Sequence, residues 1–453
     1  MVLEKIVRHK KSVLNKKWPD RSIDMSGVKP SARSFKDALL KDSLGFVLEC
    51  KKASPSKGLI REDFNVEEIA AAYAPFADCI SVLTDEEFFK GSLDYLDIVS
   101  KTSGLPILCK DFILEPFQVY LARKKGADAL LLMMSVLDDD SFRRCFDAAK
   151  EFNLDALVEV RDRDELDRAL KLGAQIIGIN NRNLDDLKVD LSATRQLAAY
   201  VPKDRVLISE SGILTHKDVT GLKNLVDGFL VGSSIMSKDN LTIASGELLY
   251  GRVKVCGITS NGDAVSIAKR GVFYGGLIFA EGSVRKVSLD DAEKIKEGVN
   301  LNWVGVFKDQ SAEFILECCK KLHLSGIQLH GSESPGYVSE LKKVLPESVF
   351  IWKAFTVKDA IPDISLFKGV YPLFDSRSPG SGKSFNWLLL EDVDLEHAII
   401  AGGLSPENAD RACELGAMVL DVNSGVESAA GKKDMTKLDM FLKKLRGNGR
   451  RRE

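Results

Sequence analysis

The chain lacks the features that mark membrane proteins and nucleic-acid-binding proteins. No apolar stretch in its 453 residues approaches the roughly 20 residues that a transmembrane helix needs, and we expect no membrane association. The 64 lysines and arginines nearly balance the 66 aspartates and glutamates, and the formal net charge is −2. Because this balance creates no global positive field, we expect no nucleic-acid partner, and an anionic ligand must be held by local groups.

Cysteine and histidine are few and unclustered. The eight cysteines include no Cys-x-x-Cys pair, and the five histidines include no His-x-x-x-His pattern. We therefore predict neither a disulfide framework nor a metal site, and the isolated thiols favour a reducing cytoplasm. Residues 380–384 are similar to the end of a nucleotide-binding P-loop. The first glycine of that motif would fall at Arg377, which excludes nucleotide hydrolysis.

Sixteen short apolar runs alternate with stretches of helical periodicity, a pattern that indicates parallel strands covered on both faces. The runs lie near residues 46–50, 79–84, 106–110, 129–135, 155–159, 176–180, 206–210 and 228–232, and then near 252–256, 274–279, 302–307, 326–330, 349–354, 369–375, 398–402 and 417–421. A (β/α)₈ barrel takes roughly 250 residues. We predict an α/β fold of two tandem (β/α)₈ TIM barrels over residues 1–251 and 252–453.

Glycine follows several predicted helices directly before the next strand, at Gly126, Gly173, Gly271 and Gly416. These positions predict left-handed turns at helix C-termini. The structural alternative is one open, doubly wound sheet, which usually carries a single phosphate loop. Reactive residues at the ends of many strands favour closed barrels instead. The first ten residues are interpreted as an exposed helix rather than a membrane-surface helix.

Polar residues that a buried strand does not need end several runs of the first half. Glu49, Lys51, Lys110 and Glu159 do so, with Asn180 nearby. Charged groups that face one barrel mouth shift each other's pKa values, as general acid–base catalysis requires; the alternative is salt bridges at the rim. Glycine and serine residues after the seventh and eighth runs favour phosphate binding over plain tight turns.

Six ordered motifs in residues 1–250 resemble the indole-3-glycerol-phosphate synthase family. They are Glu49–Gly58, Ser81–Asp85, Pro106–Phe112, Leu157–Val160, Gly178–Leu184 and Ile208–Ile213. The resemblance implies closure of the pyrrole ring of 1-(2-carboxyphenylamino)-1-deoxyribulose 5-phosphate, with loss of CO₂ and water.

The resemblance also implies residue roles in this first barrel. Lys110 would be the general acid that protonates the ribulose carbonyl, and Glu159 the base in ring closure or dehydration. Lys51 and Glu49 would position or share those protons, and which lysine acts in dehydration stays open. The remaining implied residues are Asn180, Arg182, Glu210 and Ser211 in the cleft, Ser56, Gly212, Gly232 and Ser233 at the phosphate, and Phe89, Phe112 and Leu131 at the aromatic ring.

In the second half, Cys256 ends the first run and Asp375 ends the sixth. A thiolate base and a carboxylic acid half a barrel apart could flank a flat substrate. A small buried hydrophobe is the alternative interpretation of the cysteine.

Ordered motifs in residues 252–445 resemble the phosphoribosylanthranilate isomerase family. They are Lys254–Thr259, Val304–Phe307, Ile327–Gly331, Phe374–Asp375, Gly380–Gly382, Ala401–Leu404 and Asp421–Glu427. Two departures from the family pattern occur: the usual Ser-Pro-Arg reads Ser283-Val-Arg285, and the usual aspartate before Trp387 is Asn386.

This second resemblance implies an Amadori rearrangement that makes the substrate of the first barrel. Asp375 would protonate the furanose ring oxygen, Cys256 would take the C2 proton, and Arg285 would meet the anthranilate carboxylate. Gln328 and His330 would either support the site or contact the substrate. The residues implied at the phosphate are Gly382, Gly402, Gly403, Ser424 and Gly425.

We therefore predict a cytoplasmic, monomeric, bifunctional enzyme of tryptophan biosynthesis, both a carboxy-lyase and an isomerase. Its partners would be small phosphorylated anthranilate derivatives, and no cofactor is implied because proton transfers and electrostatics suffice. Two rival hypotheses are a pair of aldolase-like barrels with a Schiff-base lysine and an inactive sugar-phosphate-binding scaffold.

Overall fold

The chain divides into two compact units in the computed structural model, which describes residues 2–183, 186–376 and 384–450. One unit is Met1–Leu241 with Gly447–Glu453, and the other is Thr242–Arg446. The expected boundary at residues 251 and 252 lies at the other end of the helix Leu241–Tyr250 and stays a prediction. The helix Leu241–Tyr250 packs within the second unit, where a Cβ added at Gly246 would collide with the backbone of Gly271. Near the C-terminus the chain returns to the first unit, where the Leu44 amide donates to the Gly447 carbonyl at 3.1 Å.

Eight parallel strands close the first barrel. The first strand pairs with the eighth, with Gly45 opposite Gly228, and with the second, with Val47 opposite Cys79. The eight strands are Gly45–Cys50, Cys79–Leu83, Ile107–Lys110, Ala129–Met133, Asp155–Val160, Ile176–Asn180, Val206–Glu210 and Gly228–Val231.

The second barrel is closed in the same way by eight parallel strands. Its first strand pairs with the eighth, with Val253 opposite Leu420, and with the second, with Lys254 opposite Tyr274. The eight strands are Val253–Val255, Tyr274–Ile278, Asn302–Phe307, Gly326–Leu329, Phe350–Val357, Tyr371–Ser376, Ile399–Ile400 and Val419–Val422. The predicted pair of tandem (β/α)₈ barrels is confirmed, and the open-sheet alternative is wrong.

Helices and short hairpins occupy the connections between strands. The α-helices are Val2–Lys17, Phe35–Leu39, Val66–Tyr73, Asp94–Ser103, Pro116–Lys124, Asp139–Glu151, Arg163–Lys171, Ser192–Leu197, His216–Leu222, Ser233–Met236, Leu241–Tyr250, Asn261–Ala268, Leu289–Lys296, Ala312–Leu322, Pro335–Val344, Ala409–Glu414 and Met435–Arg446. The 3₁₀ turns in the described residues are Ala198–Tyr200, Trp387–Leu390 and Ser424–Val426. The hairpins join Ala53–Ser54 to Gly58–Leu59 and Glu427–Ala429 to Lys432–Lys433. Within the described residues, no helix is long and apolar enough to cross a membrane.

The predicted glycine turns are confirmed. Gly126, Gly173, Gly271 and Gly416 all have φ between 71° and 100°, a conformation that glycine adopts without steric cost. Each turn ends a helix and returns the chain to the barrel wall. These turns precede the N-terminal ends of the strands. The polar side chains of the predicted sites lie at the opposite, C-terminal ends.

The N-terminal helix Val2–Lys17 is not the exposed helix that we expected. One side of it is buried, at Leu3, Ile6, Lys10 and Leu14. The spacing of three or four residues places these side chains on one face of the helix. Leu3 belongs to the same apolar cluster as barrel residues such as Leu131 and Met133.

Candidate active sites

Every residue predicted for the site of the first barrel lines one cavity of about 350 Å³. That volume is in the range of sites for small-molecule ligands. The predicted residues that it brings together are Glu49, Lys51, Ser56, Phe89, Lys110, Phe112, Leu131, Glu159, Asn180, Arg182, Glu210, Ser211, Gly212, Gly232 and Ser233. They come from the ends of different strands and from the loops that follow, as closure of the barrel requires.

Lys110 lies at the centre of the charged part of this cavity. Its Nζ is 3.4 Å from Glu159 Oε2 and 3.4 Å from Glu210 Oε2. Burial acts to lower the pKa of Lys110, but the negative charges of Glu210, Glu159 and Glu49 outweigh burial and raise the pKa. The ammonium form is therefore the stable form at neutral pH.

Glu49 and Lys51 form a second ion pair in the cavity. Ser81 Oγ donates to the other oxygen of Glu49 at 3.5 Å. Gly232, in the loop after the eighth strand, lies directly against this pair, and a Cβ there would be 3.2 Å from Lys51 Nζ. A larger residue at this position would push against the two charged side chains.

A tight turn after the seventh strand shapes the far wall. Ser211 has a φ of 65° and Gly212 a φ of 83°, and the buried Asn181 side chain donates from Nδ2 to the Ser211 carbonyl at 3.0 Å. Asn180 donates from Nδ2 to Glu159 Oε1 at 3.0 Å, while its own Oδ1 accepts from the Arg182 amide at 2.9 Å. The carboxylate of Glu159 is thus held in place by one neutral partner and one cation.

The apolar wall includes residues that sequence reasoning missed. Phe89 and Phe112 lie with ring centroids 6.2 Å apart. Leu3 and Ile6 of the N-terminal helix also line the cavity. The signal was available in the sequence, because these residues and Lys10 share one helical face.

Lys10 joins the N-terminal helix to the barrel through two ion pairs. Its Nζ is 2.9 Å from Asp85 Oδ2 and 2.7 Å from Asp111 Oδ1, and all three side chains are nearly buried. Burial acts to lower the pKa of Lys10, but Asp111 and Asp85 raise it overall. Asp111 directly follows Lys110, so this ion triad connects the helix to the strand that carries the central lysine.

In the second barrel, Asp375 is buried near the C-terminal end of the sixth strand. Its Oδ1 accepts a hydrogen bond from the Ser376 amide at 2.6 Å, and its Oδ2 lies 3.4 Å from His330 Nε2. Gly402 passes directly behind the carboxylate with a φ of 82°, and a Cβ there would collide with Asp375 Oδ1. His330 is therefore in contact with the predicted acid.

Cys256 follows the first strand and is buried. Burial raises the pKa of its thiol, and the charge of Lys254 opposes this effect. Lys254 Nζ lies 2.7 Å from Asp421 Oδ2 and 2.7 Å from Gln328 Oε1. Sequence reasoning overlooked Lys254. Its position two residues before Cys256 could have predicted this proximity, because residues two apart in a strand point to the same face.

Arg285 lies beside the loop that follows the first strand, since a Cβ at Gly257 would be 2.7 Å from its Cδ. Its guanidinium forms a bidentate ion pair with the Glu427 carboxylate, with Nε 2.9 Å from Oε1 and Nη2 2.6 Å from Oε2. Lys433 Nζ also contacts Glu427 Oε1 at 2.8 Å. Burial acts to raise the pKa of Glu427, but the hydrogen bonds from Arg285 and Lys433 lower it. In this structure the predicted carboxylate-binding arginine already holds a carboxylate of the protein itself.

The loops after the seventh and eighth strands of the second barrel lie together. Gly402 and Gly403 have φ values of 82° and 68°, and a Cβ added at Gly425 would collide with the Leu404 carbonyl. Ser424 and Gly425 form the 3₁₀ turn Ser424–Val426. The predicted Gly382 lies outside the described residues.

The two departures from the isomerase pattern each form a local turn. Arg285 donates its backbone N–H to Ser283 Oγ at 3.2 Å, which closes a local turn around Val284. Asn386 caps the turn Trp387–Leu390 by accepting from the Leu388 amide at 3.2 Å. In the described part of the chain, no group of three or more His, Cys, Asp or Glu side chains is arranged to hold a metal ion.

Two family sequence models match the chain, one for each barrel. Residues 3–248 match "Indole-3-glycerol phosphate synthase", and residues 253–444 match "N-(5'phosphoribosyl)anthranilate (PRA) isomerase".

Curated relatives match nearly the whole chain. A tryptophan biosynthesis protein TrpCF of Vibrio cholerae is 48% identical over 92% of this chain and 89% of its own length. Proteins of the same name from Vibrio parahaemolyticus and Buchnera aphidicola are 46% and 43% identical, each over 98% of this chain, and over 94% and 99% of their own lengths. A solved phosphoribosyl anthranilate isomerase from Thermus thermophilus is 33% identical, covers 43% of this chain and 98% of its own, and has a TM-score of 0.40.

The first barrel is therefore a decarboxylating lyase that cyclises the aminoketose 1-(2-carboxyphenylamino)-1-deoxyribulose 5-phosphate to indole-3-glycerol phosphate. The second barrel is the isomerase that makes this aminoketose from N-(5-phosphoribosyl)anthranilate. With both family models matched in order and relatives similar from end to end, the chain belongs to the bifunctional indole-3-glycerol phosphate synthase / phosphoribosylanthranilate isomerase family of tryptophan biosynthesis.

Proposed function

We propose that Lys110 and Glu159 perform the acid–base steps of the synthase reaction. As the aromatic carbon of the anthranilate ring attacks the ribulose carbonyl, the Lys110 ammonium donates a proton to the carbonyl oxygen. Its raised pKa keeps that proton available at neutral pH. The observation that supports this assignment is the placement of Lys110 Nζ 3.4 Å from Glu159 inside a ligand-sized cavity. Loss of CO₂ then restores the aromaticity of the six-membered ring.

Loss of water completes the pyrrole ring, and it needs an acid for the departing hydroxyl and a base for the proton of the ring. Glu159, oriented by Asn180, is one base in reach. The Glu49–Lys51 pair supplies a second acid and a second base across the same cavity. Either Lys51 or Lys110 protonates the leaving hydroxyl.

The substrate would lie with its two ends on opposite walls of the cavity. Phe89, Phe112 and Leu131 offer an apolar surface to the anthranilate ring. The glycines Gly212 and Gly232 leave backbone N–H groups open to the phosphate, with the hydroxyls of Ser56 and Ser233. Backbone N–H groups and small hydroxyls of this kind are common phosphate ligands in barrels.

A Schiff-base mechanism at Lys110 is not supported. An amine nucleophile must be neutral before it attacks a carbonyl. The surrounding carboxylates raise the pKa of Lys110 instead of lowering it, so the residue is suited to donate a proton rather than to form a covalent bond.

For the isomerase, we propose Asp375 as the acid and Cys256 as the base. The carboxylic acid of Asp375 gives its proton to the furanose ring oxygen while the C1–O bond breaks and the anthranilate nitrogen lone pair forms the C=N bond. The Cys256 thiolate then takes the C2 proton, and the resulting enol becomes the ketose. Lys254 supports the thiolate against the effect of burial.

Arg285 would bind the anthranilate carboxylate by exchanging its own partner. The guanidinium now holds the Glu427 carboxylate in a forked pair, which is the geometry that a substrate carboxylate would adopt. Lys433 remains to neutralise Glu427 when Arg285 turns to the substrate. Gly402, Gly403, Ser424 and Gly425 would hold the phosphate, together with Gly382.

The test uses the two activities of one chain as controls for each other. Lys110→Ala and Glu159→Gln should each lower the synthase kcat by about 10²- to 10⁴-fold, the usual contribution of acid–base groups, with a modest change in KM and an unchanged isomerase. Cys256→Ser and Asp375→Asn should do the reverse. Near-normal turnover in the targeted barrel would remove that assignment.

We also infer a monomeric enzyme of a reducing cytoplasm. All eight cysteines are free thiols, and seven of them are buried, as is usual where thiols are kept reduced. Sedimentation of the purified chain at micromolar concentration should give a single species near 49.8 kDa. A species of twice that mass would contradict the monomer.

A further inference from the structure

A chain of buried polar side chains lies beneath the isomerase site, and only Lys254 among them has a role in the proposed proton transfers. It begins at Lys254, which is fully buried in the second barrel. Two acceptors receive its ammonium protons: Asp421 Oδ2 and Gln328 Oε1, each at 2.7 Å. A buried cation is costly unless its donors are paired, so these contacts fix the position of the ammonium group.

Lys254 also lies beside Cys256. Lys254 and Cys256 both pack on Gly276, and a Cβ added there would be 2.9 Å from Cys256 Sγ and 2.9 Å from Lys254 Cε. The charge of Lys254 opposes the effect of burial on the pKa of the Cys256 thiol. One ammonium group therefore serves the proposed base and Gln328 at the same time.

The orientation of Gln328 follows from its partner. An ammonium group can only donate hydrogen bonds, so the carboxamide oxygen must face Lys254. The carboxamide nitrogen then faces His330 Nδ1 at 3.0 Å. Because this NH₂ group also can only donate, Nδ1 must be the unprotonated nitrogen of a neutral ring.

This assignment places the single ring proton of His330 on Nε2. That nitrogen lies 3.4 Å from Asp375 Oδ2, while Asp375 Oδ1 already accepts from the Ser376 amide at 2.6 Å. Each oxygen of the carboxylate that remains after proton transfer then has an N–H donor beside it. Donors that are in place before the charge develops stabilise the transition state without reorganisation.

We propose that Lys254 and Gln328 are positioning residues that set the tautomer of His330, so that His330 Nε2–H donates to Asp375. The inference rests on the proposed role of Asp375 as the acid. In this step the O–H bond of Asp375 breaks and the proton goes to the furanose ring oxygen. The bonding electron pair stays on the carboxylate, and the N–H groups of His330 and Ser376 stabilise its negative charge. Lys254, which packs beside Cys256 on Gly276, connects the surroundings of the base to this acid through its hydrogen bond to Gln328 and the contact of Gln328 with His330.

The first experiment observes the tautomer directly. The full-length chain with ¹⁵N-labelled histidine has five such residues, and His330→Asn identifies the signals of His330. We expect an unprotonated Nδ1 and a protonated Nε2 at neutral pH. In Gln328→Met, which is nearly isosteric but cannot donate, the two tautomers should become mixed. A protonated Nδ1 in the unaltered chain would overturn the proposal.

The second experiment measures the isomerase. Gln328→Met should lower its kcat by about 100-fold, the size of effect that follows from a misplaced catalytic group, with little change in KM. The synthase of the same chain should keep its full activity. Lys254→Met combined with Asp421→Leu removes both members of the buried ion pair, so no uncompensated charge is left to unfold the barrel, and it should have the same effect.

The outcomes separate the inference from the role on which it rests. If Asp375→Asn abolishes isomerisation while Gln328→Met and the double variant both turn over normally, Asp375 is the acid but the positioning network is rejected. If Asp375→Asn remains active, the acid itself is misassigned, whatever the tautomer of His330.

Discussion

Lys110 faces more negative charge than one ammonium group can balance. The carboxylates of Glu210, Glu159 and Glu49 all act on it. Burial, together with repulsion from Glu159 and Glu49, raises the pKa of Glu210 to about 7 even though Lys110 acts to lower it. Glu210 Oε1 is also buried without a hydrogen-bond partner among the described residues. The first site therefore contains one carboxyl group, that of Glu210, whose pKa lies near neutral pH.

This raised pKa predicts a pH-dependent stability. A carboxyl group whose pKa is higher in the folded chain than its ordinary 4.5 stabilises the fold in its protonated form. That contribution is complete below pH 4.5 and is lost as the pH rises through about 7. Glu210→Gln, which is neutral throughout, lacks the contribution. The stability difference between the two chains should change by up to about 1.4 kcal/mol per pH unit in this window.

Hydrogen exchange in the strands of the first barrel measures this difference without contributions from the second barrel. The unaltered chain should lose stability relative to Glu210→Gln between pH 4.5 and 7 and not above it. A difference that stays constant with pH would mean that Glu210 is ionised throughout.

The N-terminal helix is the element whose role differs most from expectation. Its apolar residues Leu3 and Ile6 line the synthase cavity, and Lys10 joins it to Asp85 and Asp111. An isolated helix of this length is marginal in water, so packing and the ion triad must hold it at the barrel mouth. The helix is therefore part of the wall of the site rather than a leader before it.

Lys10→Met should release this helix. The substitution leaves two buried carboxylates without their cation, and breaking a buried ion pair costs about 3–5 kcal/mol. We expect faster hydrogen exchange and proteolysis in residues 2–17 and a higher synthase KM, with the isomerase unchanged. Lys11→Met is the matched control, because Lys11 is exposed on the same helix. Equal effects of the two variants would show that the triad does not anchor the helix.

At the scale of the whole molecule, two consecutive reactions are joined in one chain. Joining them ensures equal amounts of both catalysts, and it does not by itself require the aminoketose to pass directly between the sites. Each barrel is a complete closed sheet with its own proposed acid and base. The two activities should therefore be separable by substitutions in either barrel.

Mixing two variants tests this independence. Lys110→Ala retains only the isomerase, and Asp375→Asn retains only the synthase. Neither chain alone should convert phosphoribosylanthranilate to indole-3-glycerol phosphate, while an equimolar mixture should do so after a lag in which free aminoketose accumulates. Absorbance of the indole product follows the reaction. A mixture that stays inactive, although each variant keeps its remaining activity, would show that the intermediate does not exchange between chains.

The two barrels could be predicted from sequence because their signals are local and periodic. Apolar runs of strand length, glycines at helix ends and polar residues at the ends of the runs all lie within a few positions of one another. Local signals of this kind point to Lys110 and Glu159, whereas the family resemblance was needed to favour a catalytic role for Cys256 and to place the binding residues.

Partners that are distant in sequence were decided only by the tertiary structure. The contacts of Lys10 with Asp111, of His330 with Asp375 and of Arg285 with Glu427 join residues from different strands and loops. No local pattern relates such residues, because closure of the sheet and packing of the connections bring them together. The sequence by itself thus determined which chemical groups stand at the strand ends, and the closed barrels determined which of those groups share a proton, a charge or a cavity wall.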